Sequence, residues 1–147
     1  MKLQTASETI SFVREFEEKG AKFYEDVFQR YSKDEDILLA FAKENRKYFT
    51  QIQRAYYSVI TDAIEGCYAF NLNSDDYTFE TDLPENATYA DALARAIEIE
   101  GRILNFYHVA ADQSMSLMAD VPRNFKIVAK KRKNRIPTLD ELIRNRT

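Results

Sequence analysis

The sequence predicts an all-α domain of four antiparallel helices, and three observations support this. The chain of 147 residues holds only three glycines and three prolines, so few residues interrupt a helix. Apolar residues recur at steps of three and four, which is the period of a helix with one buried face. Capping-box patterns, such as Thr5 with Glu8 and Thr88 with Asp91, mark helix starts. A chain of this length predicts one domain over residues 1–147.

The patterns place four long helices and one short helix along the chain. We predict the long helices over residues 7–31, 33–65, 88–112 and 121–136, and the short helix over residues 138–145. Asp120 looks like an N-cap of the fourth helix, and Pro137 should kink or end that helix because proline cannot donate a backbone hydrogen bond.

Residues 67–87 form a long crossover in which aromatic residues alternate with acidic ones. A connection of this length lets the third helix start at the same end of the bundle as the second. We expect the aromatic side chains to hold the crossover on the bundle and the acidic side chains to face solvent. The alternative is an acidic surface that docks a basic partner.

The composition argues against several classes of protein. The net charge of −3 favours neither nucleic-acid binding nor attachment to a membrane surface. No apolar run reaches the roughly 20 residues that a membrane-spanning helix needs. The first residues lead into a charged helix and lack the apolar core of a signal peptide, so we expect a cytoplasmic protein. A single cysteine, Cys67, excludes an internal disulfide.

One motif occurs twice, on the first and the third predicted helix. Glu17 is followed after six residues by Tyr24, Glu100 is followed after six residues by Tyr107, and each Tyr is preceded by Phe. All four residues lie on the apolar stripe of their helix. A charged group at such a position is costly unless it is paired or binds a metal ion.

The apolar stripes of the second and fourth helices also carry polar residues, and we expect these to lie at the same height in the bundle. The second helix offers Asn45 and Tyr48, and the fourth offers Arg132 and Arg135. We therefore predict a polar layer inside an apolar core. A different phase of the second helix would direct Glu44 and Lys47 inward in place of Asn45 and Tyr48, and this alternative stays open.

The repeated Glu and Tyr positions on a four-helix pattern resemble the ferritin-like di-iron carboxylate proteins, and specifically the short rubrerythrin-like branch without a rubredoxin tail. In that family two helices each supply one Glu, and the other two each supply a Glu-x-x-His pair. The resemblance implies a ferritin-like bundle in which Glu17 and Glu100 keep ligand positions. It also implies that the Glu-x-x-His positions are now occupied by Asn45, Tyr48, Arg132 and Arg135.

The departure from the family pattern determines the functional prediction. Both Glu-x-x-His pairs are absent, and the one histidine, His108, lies off the stripe. Arg132 and Arg135 can pair with the two carboxylates, so we expect a vestigial centre without a metal cofactor, with Tyr24 and Tyr107 beside it. The loss of these ligands favours a non-catalytic structural or regulatory protein, which we expect to be a homodimer, whereas the resemblance alone would favour an enzyme. The alternative is a rubrerythrin-type oxidoreductase for peroxide or iron, with iron or manganese held by Glu17, Glu44 and Glu100.

Overall fold

The computed structural model of the protein describes residues 1–31, 36–59, 70–114 and 120–145. These residues are mostly helical with almost no sheet, which confirms the all-α class. The α-helices within the described residues are α1 (Ala6–Tyr31), α2 (Asp36–Val59), α3 (Tyr89–Gln113), α4 (Asp120–Lys133) and α5 (Arg135–Arg144). Two short strands, β1 (Lys2–Leu3) and β2 (Leu72–Asn73), and a 3-10 turn (Ser74–Asp76) complete the described elements. None of the helices in these ranges is long and apolar enough to cross a membrane.

Helices α1 and α2 pack side by side in opposite directions. The Arg14 guanidinium lies 5.1 Å from the centre of the Phe49 ring, and the rings of Tyr24 and Phe41 lie 5.4 Å apart. Residues late in α1 therefore contact residues early in α2, and the two helices are antiparallel.

Helix α4 lies between α2 and α3, and it also runs antiparallel to both. Gln51 of α2 donates a hydrogen bond of 2.8 Å to Asn124 of α4, and the Tyr107 ring of α3 lies 5.9 Å from the Phe125 ring of α4. Helix α5 continues along α3 beyond the end of α4. The stripes of all four long helices thus face a common interior.

The interior consists mainly of aromatic and aliphatic side chains. At one level Phe12 and Phe16 of α1 make edge-to-face contacts with Phe106 of α3, with ring centres 5.4 and 5.0 Å apart. Tyr77 of the crossover packs on the same Phe106 ring at 5.4 Å. Aromatic pairs of this geometry stabilise a core beyond the area that they bury.

The crossover is attached to the bundle by aromatic side chains and by its backbone. Phe70, Tyr77 and Phe79 are buried, which confirms that aromatic residues hold this segment on the bundle, and Asp75, Asp76 and Glu80 are exposed. Basic side chains of α1 and α3 donate to its carbonyl groups. The donor–acceptor pairs are Lys19 with Phe79, Arg30 with Pro84 and Glu85, and Arg95 with Glu80 and Asp82.

A small antiparallel sheet near the start of the chain was not predicted. Lys2 pairs with Asn73 and Leu3 pairs with Leu72, which joins the first residues to the crossover. Leu3 and Leu72 are buried in this arrangement.

The fourth helix ends earlier than predicted. We predicted a helix over 121–136 and a break at Pro137, but α4 ends at Lys133 and α5 begins at Arg135. Pro137 lies in the first turn of α5, where its missing N–H is tolerated. Proline at this position cannot donate to the carbonyl of Lys133, so the helical hydrogen bonds are interrupted before Pro137. The prediction of a separate short helix starting at residue 138 is wrong by the same three residues.

The other boundaries differ little from the predicted ones. Helix α1 starts at Ala6, and the predicted capping box forms, with Glu8 N–H donating to Thr5 Oγ1 at 3.1 Å and Thr5 N–H donating to Glu8 at 3.0 Å. Thr88 caps α3 in the same way with Asp91. Asp120 is the first residue of α4 and not the residue before it. The predicted limits of the second helix at residues 33 and 65, and Cys67, lie outside the described residues.

Candidate functional site

The charged residues of the predicted stripes meet in the middle of the bundle. Glu17 on α1, Glu100 on α3, Arg132 on α4 and Arg135 on α5 are all buried, with exposed fractions of 1%, 1%, 0% and 2%. Their side chains are in direct contact, so each buried charge is paired with an opposite charge. We call these four residues the ion-pair layer.

Arg132 joins the two repeated halves of the chain. Its Nη1 donates to Glu100 Oε2 at 2.6 Å, and its Nη2 donates to Glu17 Oε1. One guanidinium therefore bridges α1 and α3, with its planar fork turned toward both carboxylates.

Arg135 adds a second cation beside Glu100. Its Nη1 donates to Glu100 Oε1 at 2.8 Å and to Asn45 Oδ1 at 2.6 Å. Its Nη2 donates to the Phe41 carbonyl at 3.1 Å and to Glu44 Oε1 at 3.2 Å. The break between α4 and α5 falls between Arg132 and Arg135, and both side chains still enter the core.

The two tyrosines of the repeated motif bond across the bundle. Tyr24 of α1 donates to Glu100 Oε1 at 2.7 Å, and Tyr107 of α3 donates to Glu17 Oε2. Each Tyr thus donates its hydrogen bond to the Glu of the other helix. This exchange requires α1 and α3 to run in opposite directions at matched height.

Asn45 and Tyr48 of α2 contact the ion-pair layer. Asn45 Nδ2 donates to the Glu17 backbone carbonyl at 3.3 Å, while its Oδ1 accepts from Arg135. The Tyr48 ring lies 5.4 Å from the Arg132 guanidinium carbon and 5.2 Å from that of Arg135. Both distances are within the range of cation–π attraction. The inward residues of α2 are therefore Asn45 and Tyr48, as the first predicted phase requires.

Gly20 allows this close approach of α2 to α1. A Cβ atom built on Gly20 would lie 2.9 Å from Asn45 Nδ2, which is closer than side chains tolerate. The absence of a side chain at residue 20 makes room for the Asn45 amide.

The two carboxylates differ in their electrostatic surroundings. Burial alone raises the pKa of Glu100, but the charges of Arg132 and Arg135 and the Tyr24 hydrogen bond outweigh burial and lower the pKa below its ordinary value. Burial raises the pKa of Glu17 above its ordinary value, because the charge of Arg132 and the Tyr107 hydrogen bond offset burial only in part. Glu100 touches two guanidinium groups and Glu17 touches one, which accounts for the difference.

The donors of the layer keep their protons. Burial lowers the pKa of Arg132, but the charges of Glu100 and Glu17 overcome this effect and hold the pKa above its ordinary value. Burial and the charge of the bonded carboxylate raise the pKa of both Tyr24 and Tyr107 well above the ordinary value. The layer is therefore a set of protonated donors around two carboxylates.

Glu44 has a role that neither predicted phase of α2 described. It is neither fully inward nor fully solvated, since its side chain is 46% exposed while it bonds to the buried Arg135. Glu44 is adjacent to Asn45 and so lies at the border of the apolar stripe. This border position is the feature of the sequence that could have indicated its partly buried contact with Arg135. His108 is exposed on α3 and takes no part in the layer.

The residues of the layer do not fit a di-iron centre. A metal ion would need the oxygens of Glu17 and Glu100 that now accept from Arg132, and two fixed guanidinium cations would repel it. Within the described ranges, no three His, Cys, Asp or Glu side chains are grouped so that they could hold a metal ion.

Comparison with known proteins adds no assignment. No protein-family profile, no curated protein and no solved structure matches this chain.

Proposed function

We propose that the protein is a rubrerythrin-like member of the ferritin-like class in which Glu–Arg ion pairs have replaced a di-iron centre. The observation that carries this proposal is the bridge from Arg132 to both Glu17 and Glu100. The bridge joins the two carboxylates that the family pattern treats as metal ligands. The guanidinium stands at a third position of the same pattern.

Charge balance supports the replacement. Four carboxylates around two divalent ions balance in a di-iron(II) centre. Among the described residues, two buried carboxylates balance two buried guanidinium groups, so these four side chains are neutral together without metal. Burying a charge without a partner costs several kcal/mol, and the pairing offsets part of that cost.

The function that follows is a non-catalytic one. Every oxygen of Glu17 and Glu100 accepts a hydrogen bond from Arg or Tyr. A metal ion or a substrate that binds these oxygens would therefore compete with the Arg and Tyr donors. We propose a cytoplasmic structural or regulatory protein that acts through its surface as a homodimer, which sedimentation analysis of the purified chain would test.

The alternative function is a rubrerythrin-type oxidoreductase that handles peroxide or iron. The observation in its favour is that Glu44 and Glu100 contact the same guanidinium, so two carboxylates lie beside Arg135. Iron or manganese bound by Glu17, Glu44 and Glu100 would have to displace both Arg132 and Arg135 from these oxygens.

Metal analysis of the native protein separates the two functions. The protein is produced with added iron and manganese, purified without chelators under anaerobic conditions, and measured by elemental analysis. The ion-pair account predicts metal far below one ion per chain. Two ions per chain by elemental analysis, together with the absorption band of an oxo-bridged iron pair after the sample is exposed to air, would contradict it and support the oxidoreductase.

A further inference from the structure

The outer edge of the Arg135 guanidinium is only partly used. Nη1 faces the core and donates to Asn45 and Glu100. Nη2 donates to Phe41 and Glu44 at 3.1 and 3.2 Å, and Nε has no hydrogen-bond partner among the described residues. Both N–H groups of Nη2 are used, so the spare donor on the edge formed by Nε and Nη2 is the buried Nε–H. This edge matches the two oxygens of a carboxylate.

Arg46 shows in the same chain how a carboxylate uses this edge. Its Nε and Nη2 donate to the two oxygens of Glu18 at 3.1 and 2.9 Å. On Arg135 the same edge has one oxygen of Glu44, at 3.2 Å, from a side chain that is 46% exposed. A single exposed bond holds Glu44 weakly, because solvent screens the pair and the side chain loses entropy. Glu44 can therefore be displaced by a better-placed carboxylate.

A cleft that opens to solvent has Arg135 in its lining, and the Nε atom of Arg135 is buried beside it. It has a volume of about 570 Å³ and lies between α2 and the junction of α4 with α5. Phe41 and Tyr48 line it on the α2 side, and Lys47 and Lys131 are exposed cations on its lining. This volume is within the range of about 300–1,000 Å³ that small-molecule sites occupy. We call this feature the Arg135 cleft.

The charge around the cleft favours an anion. The ion-pair layer is neutral, with two carboxylates and two guanidinium groups. The lining adds the carboxylate of Glu44 and the ammonium groups of Lys47 and Lys131, which leaves one excess positive charge. A ligand carboxylate can take the place of the Glu44 carboxylate on Arg135, and the excess positive charge attracts it.

We propose that the Arg135 cleft binds a small organic monocarboxylate. The ligand's two oxygens take the Nε–Nη2 edge of Arg135 after the Glu44 side chain moves out into solvent. The rings of Phe41 and Tyr48 contact the apolar part of the ligand, and Lys131 attracts its charge. This site is separate from the question of metal, since binding uses Arg135 in the ion-paired state.

Benzoate is the probe for this site, because it joins a carboxylate to a flat apolar ring. Titration is followed by protein NMR at constant ionic strength, with benzamide as a neutral ligand of the same shape. We expect saturable one-to-one binding of benzoate and no saturable binding of benzamide. Equal binding of the two compounds, or shifts that never saturate, would overturn the proposal.

Three variants test where benzoate binds. Glu44→Gln removes the competing carboxylate and should tighten binding about two- to fivefold, the range expected for one exposed charge. Lys131→Ala should weaken binding by a similar factor of about two to five. Lys133→Ala removes the same charge from the exposed face of α4, away from the cleft, and should leave the affinity unchanged.

Two results from these variants would overturn the site. An unchanged affinity for benzoate in Glu44→Gln would show that the ligand does not bind the Nε–Nη2 edge of Arg135. Equal losses in Lys131→Ala and Lys133→Ala would show general attraction to the basic helix. All three substitutions are at partly or fully exposed side chains, so circular dichroism should show unchanged folding.

Discussion

Replacing Arg132 with Met should destabilise the protein strongly. The guanidinium is fully buried and donates to Glu17 and Glu100. Each hydrogen bond to a charged group contributes about 1.5–3 kcal/mol, so two give about 3–6 kcal/mol. Breaking a buried ion pair from one side costs about 3–5 kcal/mol, which agrees. We therefore expect the free energy of unfolding to fall by about 3–5 kcal/mol.

Chemical denaturation in urea at neutral pH measures this loss, with Lys133→Met as the control on the same helix. The control should change stability by less than about 0.5 kcal/mol. The double variant Arg132→Met with Glu17→Gln removes both members of one pair, so it should recover part of the loss. A loss below about 0.5 kcal/mol in Arg132→Met would refute the reasoning, because Arg132 would then be no more than a surface residue.

Three further predictions follow from the same geometry. Glu100→Gln should cost about 3–5 kcal/mol because it leaves two guanidinium groups with one buried carboxylate, whereas Glu17→Gln should cost about 1.5–3 kcal/mol; equal losses in urea would contradict the difference in surroundings. The lowered pKa of Glu100 means that its contribution is present above the ordinary carboxyl pKa of 4.5 and is lost as the pH falls through its folded pKa. The difference in unfolding free energy between the parent and Glu100→Gln should therefore become smaller in acid. The pKa of Glu17 is raised, so the parent should become more stable relative to Glu17→Gln as the pH falls. Differences that do not depend on pH would contradict this. Gly20→Ala should lower the melting temperature, because its methyl group would meet Asn45 at 2.9 Å, and Gly101→Ala, where nothing lies within 4 Å, should not; equal effects would show that the clash is relieved.

The burial of the polar layer could be predicted from spacing alone. Glu17, Glu100 and Arg132 recur with apolar residues at helical period, and a helix presents such positions on one face. Side chains on the inward faces of antiparallel neighbours must then share the same interior. For this reason the sequence indicated which residues are buried, and the structure brings them together.

The pairing within the layer could not be predicted in the same way. Tyr24 lies about 10 Å along α1 from Glu17, at 1.5 Å per residue, so it cannot reach the Glu of its own motif across that rise. Its partner depends on the height of α3 relative to α1, and no local pattern specifies that height. The exchange between Tyr24 and Tyr107 is therefore a property of the packed bundle.

Three other features left too little local signal. Strands of two residues, Lys2–Leu3 and Leu72–Asn73, are too short to show a period of two. The break at Asn134 was displaced from its cause, because Pro137 affects the carbonyl four residues earlier. Glu44 was hard to place because a residue at the border of a helix stripe can turn inward or outward.

The central claim is that Glu17 and Glu100 face a former metal centre now filled by arginine. The most direct measurement is a thermal melt, with and without ferrous or manganous ion under anaerobic conditions, of a variant that restores the family's ligands. That variant carries Asn45→Glu, Tyr48→His, Arg132→Glu and Arg135→His. Without metal it gathers four carboxylates and should be much less stable than the parent. At free metal about 100-fold above Kd, binding should restore about 2.7 kcal/mol, and the parent should not respond. A folded variant whose melting temperature ignores metal would contradict the claim, because Glu17 and Glu100 would then not share one cavity with the restored ligands.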